Sequence, residues 1–521
     1  MPLERLLNMR FLYDNAAAIA VAGVCSVFAW LYGGTVASAL LPTIPWMLAF
    51  LFEMMLCFPQ RYSGETTFDA RRRVWRGMKR DPLTWIVVLF LILLLVPFVN
   101  KGLCPGCNYP EIHFEGAREA PPFPLLPFCV DRMEHLNVTI WFFSAFLAML
   151  AVKHALLKRG KRLVLELIVW NGVALSVIGL IQYVAEAESP LWAEGWSGKA
   201  YFFSTFGYAN MCGDYFTTLF AISMALWRWK RDEIAHNEQI AELTVSNRDK
   251  FWKKHYQLIP AVIFFLSALM TLSRAAIVLV CLLGMIFFIH SFVGVIHNSK
   301  SVKKVKLIAL NLFIGVFLVL MFYIFFFSRD SMMPTDDLRD ELNREISTLS
   351  TESILDRASG HGQYHTRIAK DIWLDHFLFG CGGWGYRHFS PAKMTDEEFA
   401  SIQTTGGINV HNDYLQFLAE HGLVGFTMIL SVILMLLVPV VRVWKTLIAS
   451  ASFMKSSKRP PRPVAVFALP AGAFCLLLAV FATLMHAMAD CPLRSPAVLT
   501  LFFVVLASID GFLPKLKNKE D

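Results

Sequence analysis

Arg274, Arg367 and His411 are the side chains whose type and setting suit chemistry on an anion. Arg274 follows Thr271-Leu272-Ser273 at the edge of an apolar stretch. An arginine there is costly unless it reaches the interface, pairs, or lines a polar cavity. Its planar donor fork fits two oxygens of an oxyanion, and an interfacial anchor is the plainer explanation. Arg367 has Asp371 at i+4, so an exposed helix pair accounts for it on spacing alone. His411 precedes Asn412 and Asp413, either of which can cap a following helix. The positive end of that helix would lower the imidazole pKa and keep the ring neutral, as a base requires. Tyr414, one turn along, is expected to orient the ring; a polar helix entry is the non-catalytic alternative. Asn412, Tyr414, Gln416 and Glu420 read as supporting groups.

Two other clusters invite metal or redox chemistry. His361, His365, His376, His388, His411 and His421 crowd one polar segment, with His361 and His365 at i, i+4. No His-Glu-x-x-His occurs, and Gly360 and Gly362 argue against a stiff helix at that pair, so no metal is expected. Cys104-Pro105-Gly106-Cys107 has redox-like spacing but lacks a βαβ setting. Cysteines 104, 107, 129, 212, 381 and 491 fall on or near the outer side, where structural disulfides are the expectation.

The elements that must position these residues are apolar. Hydrophobic residues make up 56% of the chain and charged residues 17%, with 44 Phe. Soluble chains average about 45–50% and 25%. This excludes disorder, coiled coil and a soluble multidomain enzyme. A span needs about 20 mostly apolar residues, and twelve segments qualify: 13–32, 39–59, 82–100, 136–156, 163–184, 208–227, 257–273, 275–296, 307–328, 422–441, 465–488 and 496–514. The first reads as a retained span, since another apolar segment follows it directly. The fold class is therefore all-α: a polytopic integral membrane protein of about 12 transmembrane helices.

The net charge of +8 could suggest nucleic acid, but its distribution does not. With a cytoplasmic N-terminus, 34 of the 48 Lys and Arg fall in inner segments and 14 in outer ones. That asymmetry is a topology signal; both termini lie inside and no nucleic-acid partner is implied. Residues 1–328 then form nine spans with short loops, 329–421 one large outer segment, and 422–521 three more spans with a tail. The outer segment carries helical pattern rather than disorder. Residues 336–346 read as an exposed helix, and Ile368, Ile372 and Phe379 mark a buried face between Tyr364 and Phe379. Eight Lys/Arg stand against 15 Asp/Glu there, so any anion must be gripped by individual arginines.

The segment ends His411-Asn412-Asp413-Tyr414-Leu415-Gln416, then Glu420-His421-Gly422 and Gly425-Phe426 entering a span. This resembles the signature of the O-antigen ligase and O-antigen polymerase superfamily. Thr271-Leu272-Ser273-Arg274 resembles the family's Ser-Arg turn, and Phe206-Gly207-Tyr208-Ala209-Asn210 its Phe-Gly-x-x-Asn segment. Arg367 to Trp384 resembles the helix and Gly-rich turn before the signature, and His486 to Pro492, with Asp490, the late outer turn. The motifs cover roughly 200–495. The basic 60–81 inner loop, the 101–135 outer loop with its cysteines, and Ala275 where the family often has Gly fit the pattern more loosely.

The resemblance implies a GT-C-like membrane glycosyltransferase at the outer face of a bacterial inner membrane. The donor would be a glycan on polyprenyl diphosphate, and the acceptor a lipid, glycan or protein hydroxyl. Such a leaving group departs without an acid. The site then needs cations for the developing charge and a base for the acceptor, with no metal or other cofactor. By resemblance Arg274 and Arg367 would clamp the diphosphate and His411 would be the base. Asn210, Asn412, Tyr414 and Gln416 would line the substrate site. Twelve spans also suit a transporter or lipid flippase, but the two halves show no duplication.

Overall fold

The computed structural model describes residues 9–35, 43–102, 120–193, 202–240, 252, 255–298, 361–396, 398–399, 409–453 and 469–514. Every named element among them is helical. In order they are α1 (Met9–Trp30), α2 (Ile44–Cys57), α3 (Thr67–Arg80), α4 (Pro82–Leu95), α5 (Arg132–Leu150), α6 (Lys158–Val184), α7 (Ala209–Ile240), α8 (Leu258–Met270), α9 (Arg274–Asn298), α10 (His361–Asp375), α11 (Gly385–Phe389), α12 (Asp413–Phe453), α13 (Ala471–His486) and α14 (Pro496–Ser508). Four helical segments are long and apolar enough to cross a membrane alone: Phe11–Trp30, Arg132–Ala155, Lys158–Val184 and Asp413–Ile448. α3 and the segment Pro82–Phe98 pass the same test only when taken together, across a bend of 70°, and five shorter apolar helices accompany them. Ten of the twelve expected spans fall on these helices, and the sixth, 208–227, falls on α7. The ninth, 307–328, and the expected helix at 336–346 lie outside the described residues.

Local chemistry sets the helix starts. The Asp81 carboxylate accepts from Leu83 N at 3.2 Å, and Pro82 opens α4. Asp131 accepts from Met133 N and Glu134 N at 2.6 and 2.9 Å to open α5. Both satisfy backbone donors that a helix leaves orphaned. The large core joins α7 to α8 and α13, and α5 to α14. In a second, smaller core Ile368, Ile372, Cys381, Tyr386 and Phe389 pack with Phe128 and Ala419.

Three expectations change here. The helix carrying Ile368 and Ile372 ends at Asp375, so those two are buried while Phe379 lies beyond its end, half-buried. That helix also begins at His361 and runs through Gly362, because packing of its apolar face outweighs the glycine cost of about 1 kcal/mol. Cys129, Cys212, Cys381 and Cys491 are free thiols, all four buried; Cys104 and Cys107 lie outside the described residues.

The tenth span also starts earlier than its hydropathy suggests. α12 begins at Asp413 and kinks at Gly422, whose φ of 63° and ψ of −172° suit glycine alone. The kink seats the Gly-rich turn. Cys381 N and Gly382 N donate to Ala419 O and Glu420 O at 2.9 Å each, and Leu423 N and Val424 N donate back to Phe377 O and Leu378 O. A Cβ on Gly422 would stand 2.3 Å from Leu378 O, and one on Gly380 2.3 Å from Glu420 C. Gly383 N donates to His135 Nδ1 at 3.0 Å, which ties the same turn to α5.

Candidate functional site

The resemblance motifs meet at one end of the bundle. His411 Nδ1 lies 3.3 Å from Asp490 Oδ1. The hydroxyl of Tyr208 donates to both Asp490 oxygens at 3.1 Å. Asn210 Nδ2 donates to Asp490 Oδ2 as well as to Tyr208 Oη. The first turn of α7, which holds Asn210, packs on the Ser-Arg turn: a Cβ on Gly213 would stand 2.5 Å from Ala276 Cβ and 2.9 Å from Ser273 Cβ. Asp490 thus joins the segments at 206–210 and 411–416, and α7 brings the 271–274 turn beside them.

Left-handed backbone marks the same places. Ser204, Leu272, Trp384 and His411 have φ of 58°, 56°, 60° and 52°. Each costs a non-glycine residue about 1–3 kcal/mol unless its surroundings enforce it. One such residue sits in or beside each of four motif segments. His411 adopts it just ahead of α12, where the Asn412 side chain accepts from Leu415 N at 3.1 Å as the cap.

His411 is half exposed, whereas Asp490 is nearly buried. The hydrogen bond and charge of Asp490 push the His411 pKa up, with burial opposing. This reverses the helix-dipole expectation, because a carboxylate in hydrogen-bond contact outweighs a dipole end. For Asp490 burial is the largest influence and opposes ionisation, yet His411, His486 and Cys491 N together hold its pKa below the usual range. Asp490 also replaces Tyr414 as the group that orients the imidazole. Tyr414 Oη donates instead to Leu484 O at 2.8 Å, pinning α12 to α13.

Each remaining candidate has a definite place. Asn412 also donates to Met488 O at 3.1 Å. Gln416 is fully buried; it accepts from Val410 N at 3.1 Å and donates to Glu420 Oε1 at 3.1 Å. It fixes the stretch of chain leading to His411. Arg274 stands half-buried at the start of α9. Arg367 is exposed, and its Nη2 holds both oxygens of Glu398 at 3.0 and 2.9 Å; Asp371 is farther, at 3.9 Å. The i+4 pair therefore exists but is secondary. His365, two residues before Arg367, is buried with Nδ1 2.9 Å from Tyr386 Oη and its ring 6.3 Å from that of His411.

Two residues escaped the sequence reading. Asp490 was visible only as part of a motif, with no spacing to reveal its partner. Arg494 was the one cation in its short outer turn, a signal in itself. It is buried and binds Glu420 Oε2 at 2.7 Å and Asp413 at 3.7 Å, with its guanidinium 4.9 Å above the Trp384 ring. Arg387 covers Trp384 at 3.7 Å, so the Gly-rich turn and the signature helix share one cation–aromatic stack.

A metal could be offered His411, Asp490 and Cys491, whose ligand atoms lie within 4.8 Å of one another. Asp490 is already engaged by Tyr208, Asn210, His411 and Cys491 N, so an ion would have to displace them. Below the site an apolar cavity of about 120 Å³ opens between α5, α12 and α14, lined by Trp141, Phe142, Phe417 and Phe503 with Tyr414 and Arg494.

The bundle of apolar helices defines a multi-pass membrane protein with a polar site at one end. Residues 259–430, which include Arg274, Arg367 and His411, match the family model described as O-antigen ligase. No curated protein matches the chain.

Proposed function

We propose that this protein transfers a glycan from a polyprenyl diphosphate to an acceptor hydroxyl at the outer face of the bacterial inner membrane, with inversion and without a metal. The observation that carries the reading is the His411–Asp490 pair, set beside the Ser-Arg turn and above an apolar cavity. Asp490 engages Nδ1, so Nε2 is the nitrogen left to take a proton. The carboxylate steadies the imidazolium as it forms, as in other oriented histidine bases.

In the reaction the acceptor oxygen bonds to the anomeric carbon as the bond to the diphosphate oxygen breaks. The acceptor proton passes to His411 Nε2, and the polyprenyl diphosphate leaves with the electron pair. Arg274 supplies a cation at the membrane edge, where the diphosphate of a lipid-anchored donor must sit. Arg367 is the second clamp; it must exchange Glu398 for diphosphate oxygens, a swap between like acceptors. Asn210 holds Asp490, and Asn412 and Tyr414 hold the signature helix against α13. The apolar cavity suits a hydrocarbon chain.

Purified protein given lipid-diphosphate glycan and acceptor should release diphosphate lipid without any ion gradient. A requirement for a gradient, with no glycan transferred, would instead make it a transporter. Envelope glycans of a deletion strain distinguish the acceptors: loss of capped lipid means ligase, accumulation of single repeat units means polymerase, and loss of glycosylated protein means a protein O-oligosaccharyltransferase.

A further inference from the structure

The basic inner loop has no part in that chemistry, yet it is built with care. α3 meets the apolar segment Pro82–Phe98 at a bend of 70°. If α4 crosses the bilayer, α3 must lie close to its surface. One stripe of α3, Ala70 and Val74, is buried against the bundle. Its opposite side exposes Phe68 and Trp75, at 69% and 49%. Between and beside them stand Arg71, Arg72, Arg76, Lys79 and Arg80, all exposed. No carboxylate among the described residues pairs with these five. Asp69, the helix's own acid, is taken by the Thr66 hydroxyl at 2.6 Å.

The helix is also held in place. Arg73 binds Glu65 at 2.9 Å and Gln60 O at 2.6 Å. Asp81, at the bend, binds Lys153 Nζ at 2.7 Å and His154 Nε2 at 3.2 Å. From α4, exposed Trp85 donates its indole N–H to Lys79 O at 2.9 Å, and Lys79 Nζ sits 4.8 Å over the Trp75 ring. Trp75 and Trp85 are thus linked through Lys79, and with exposed Phe68 they supply the aromatic side chains favoured at a bilayer interface. Cations between aromatics on a fixed helix satisfy the physical requirements of a surface that binds anionic headgroups.

We propose that α3 is an interfacial helix that selects anionic phospholipid, with Phe68 and Trp75 sunk at the acyl boundary and the five cations on headgroup phosphates. This stands apart from the proposed transferase activity and does not depend on it. The test is native mass spectrometry of the full-length protein after exposure to equal amounts of phosphatidylglycerol and phosphatidylcholine. Wild type should retain phosphatidylglycerol preferentially, and added glycerol phosphate should not compete, since it lacks the chains. Arg72→Gln/Arg76→Gln/Lys79→Gln should lose preference by up to about fivefold per charge removed. The matching Arg72→Lys/Arg76→Lys variant should keep it. Melting temperatures in phosphatidylcholine nanodiscs, equal for all variants, show that folding is intact. Equal retention of the two lipids by wild type, undiminished preference in the triple Gln variant, or competition by glycerol phosphate would each overturn the proposal.

Discussion

His411 and Asp490 are 79 residues apart in the chain and 3.3 Å apart in space, Nδ1 to Oδ1. The contact fixes the tautomer and the orientation of the ring, and it turns a lone histidine into an oriented one. If Nε2 is the base, His411→Ala should cut single-turnover transfer by about 10²–10⁴-fold and leave donor binding nearly intact. His411→Gln should be as slow as Ala. Retention of most of the rate by Gln would mean that the donor's diphosphate takes the proton.

The pair also sets a pH dependence. His411 is raised by Asp490, so the neutral ring is lost as pH falls through a pKa above the ordinary 6.5. The acid limb of the rate profile should lie there. Asp490→Asn should move that limb to lower pH and slow the plateau, because the imidazolium loses its carboxylate. For stability the signs follow from the same shifts. The His411 contribution is present at low pH and fades as pH rises through its raised pKa. The Asp490 contribution is present at high pH and fades as pH falls through its lowered one. The pair therefore stabilises most between the two, which thermal melts across pH should show and Asp490→Asn should flatten.

Arg367 gives a competition experiment. Its guanidinium spans both oxygens of Glu398, the same geometry that a diphosphate would offer. Glu398→Gln should tighten donor binding several-fold by removing a competing anion, and Arg367→Ala should weaken it. Unchanged donor affinity in both variants leaves Arg367 a surface pair. Arg274→Ala should weaken donor binding and turnover together, and Arg274→Lys should restore only part, since an ammonium cannot make the two-pronged contact.

Arg494 holds two buried carboxylates, Asp413 and Glu420. Arg494→Met strands both and should destabilise the protein by about 3–5 kcal/mol, read as a fall in melting temperature in detergent. Gly422→Ala should be comparably damaging, because φ of 63° and a 2.3 Å approach to Leu378 O leave no room for a methyl group. A well-folded Gly422→Ala protein would show that the kink can be remade.

Metal dependence is checked by exhaustive chelation. With arginines supplying the charge, activity should survive it. A strict requirement restored by one divalent ion would direct attention to His411, Asp490 and Cys491.

The sequence by itself determined what local composition and periodicity can carry. Runs of apolar residues coincide with described helices at eleven of the twelve segments, since apolar surroundings leave the backbone no other partner than itself. The burial of Ile368 and Ile372 followed from helical spacing, and the cap at Asn412 from its residue type. His411, Arg274 and Arg367, picked out by short motifs, all lie in the stretch that the family model matches. The tertiary structure alone decided which residues meet. It put Asp490 on His411, Glu398 on Arg367 and Arg494 between Asp413 and Glu420, all pairs distant in sequence. It sent the Tyr414 hydroxyl to Leu484 O, one span away, instead of to the ring. It buried Gln416 and raised the His411 pKa that the helix end alone would have lowered. Hydrophobic pattern is written along one chain segment, whereas hydrogen bonds and ion pairs depend on the approach of two segments, and only the packed bundle fixes that approach.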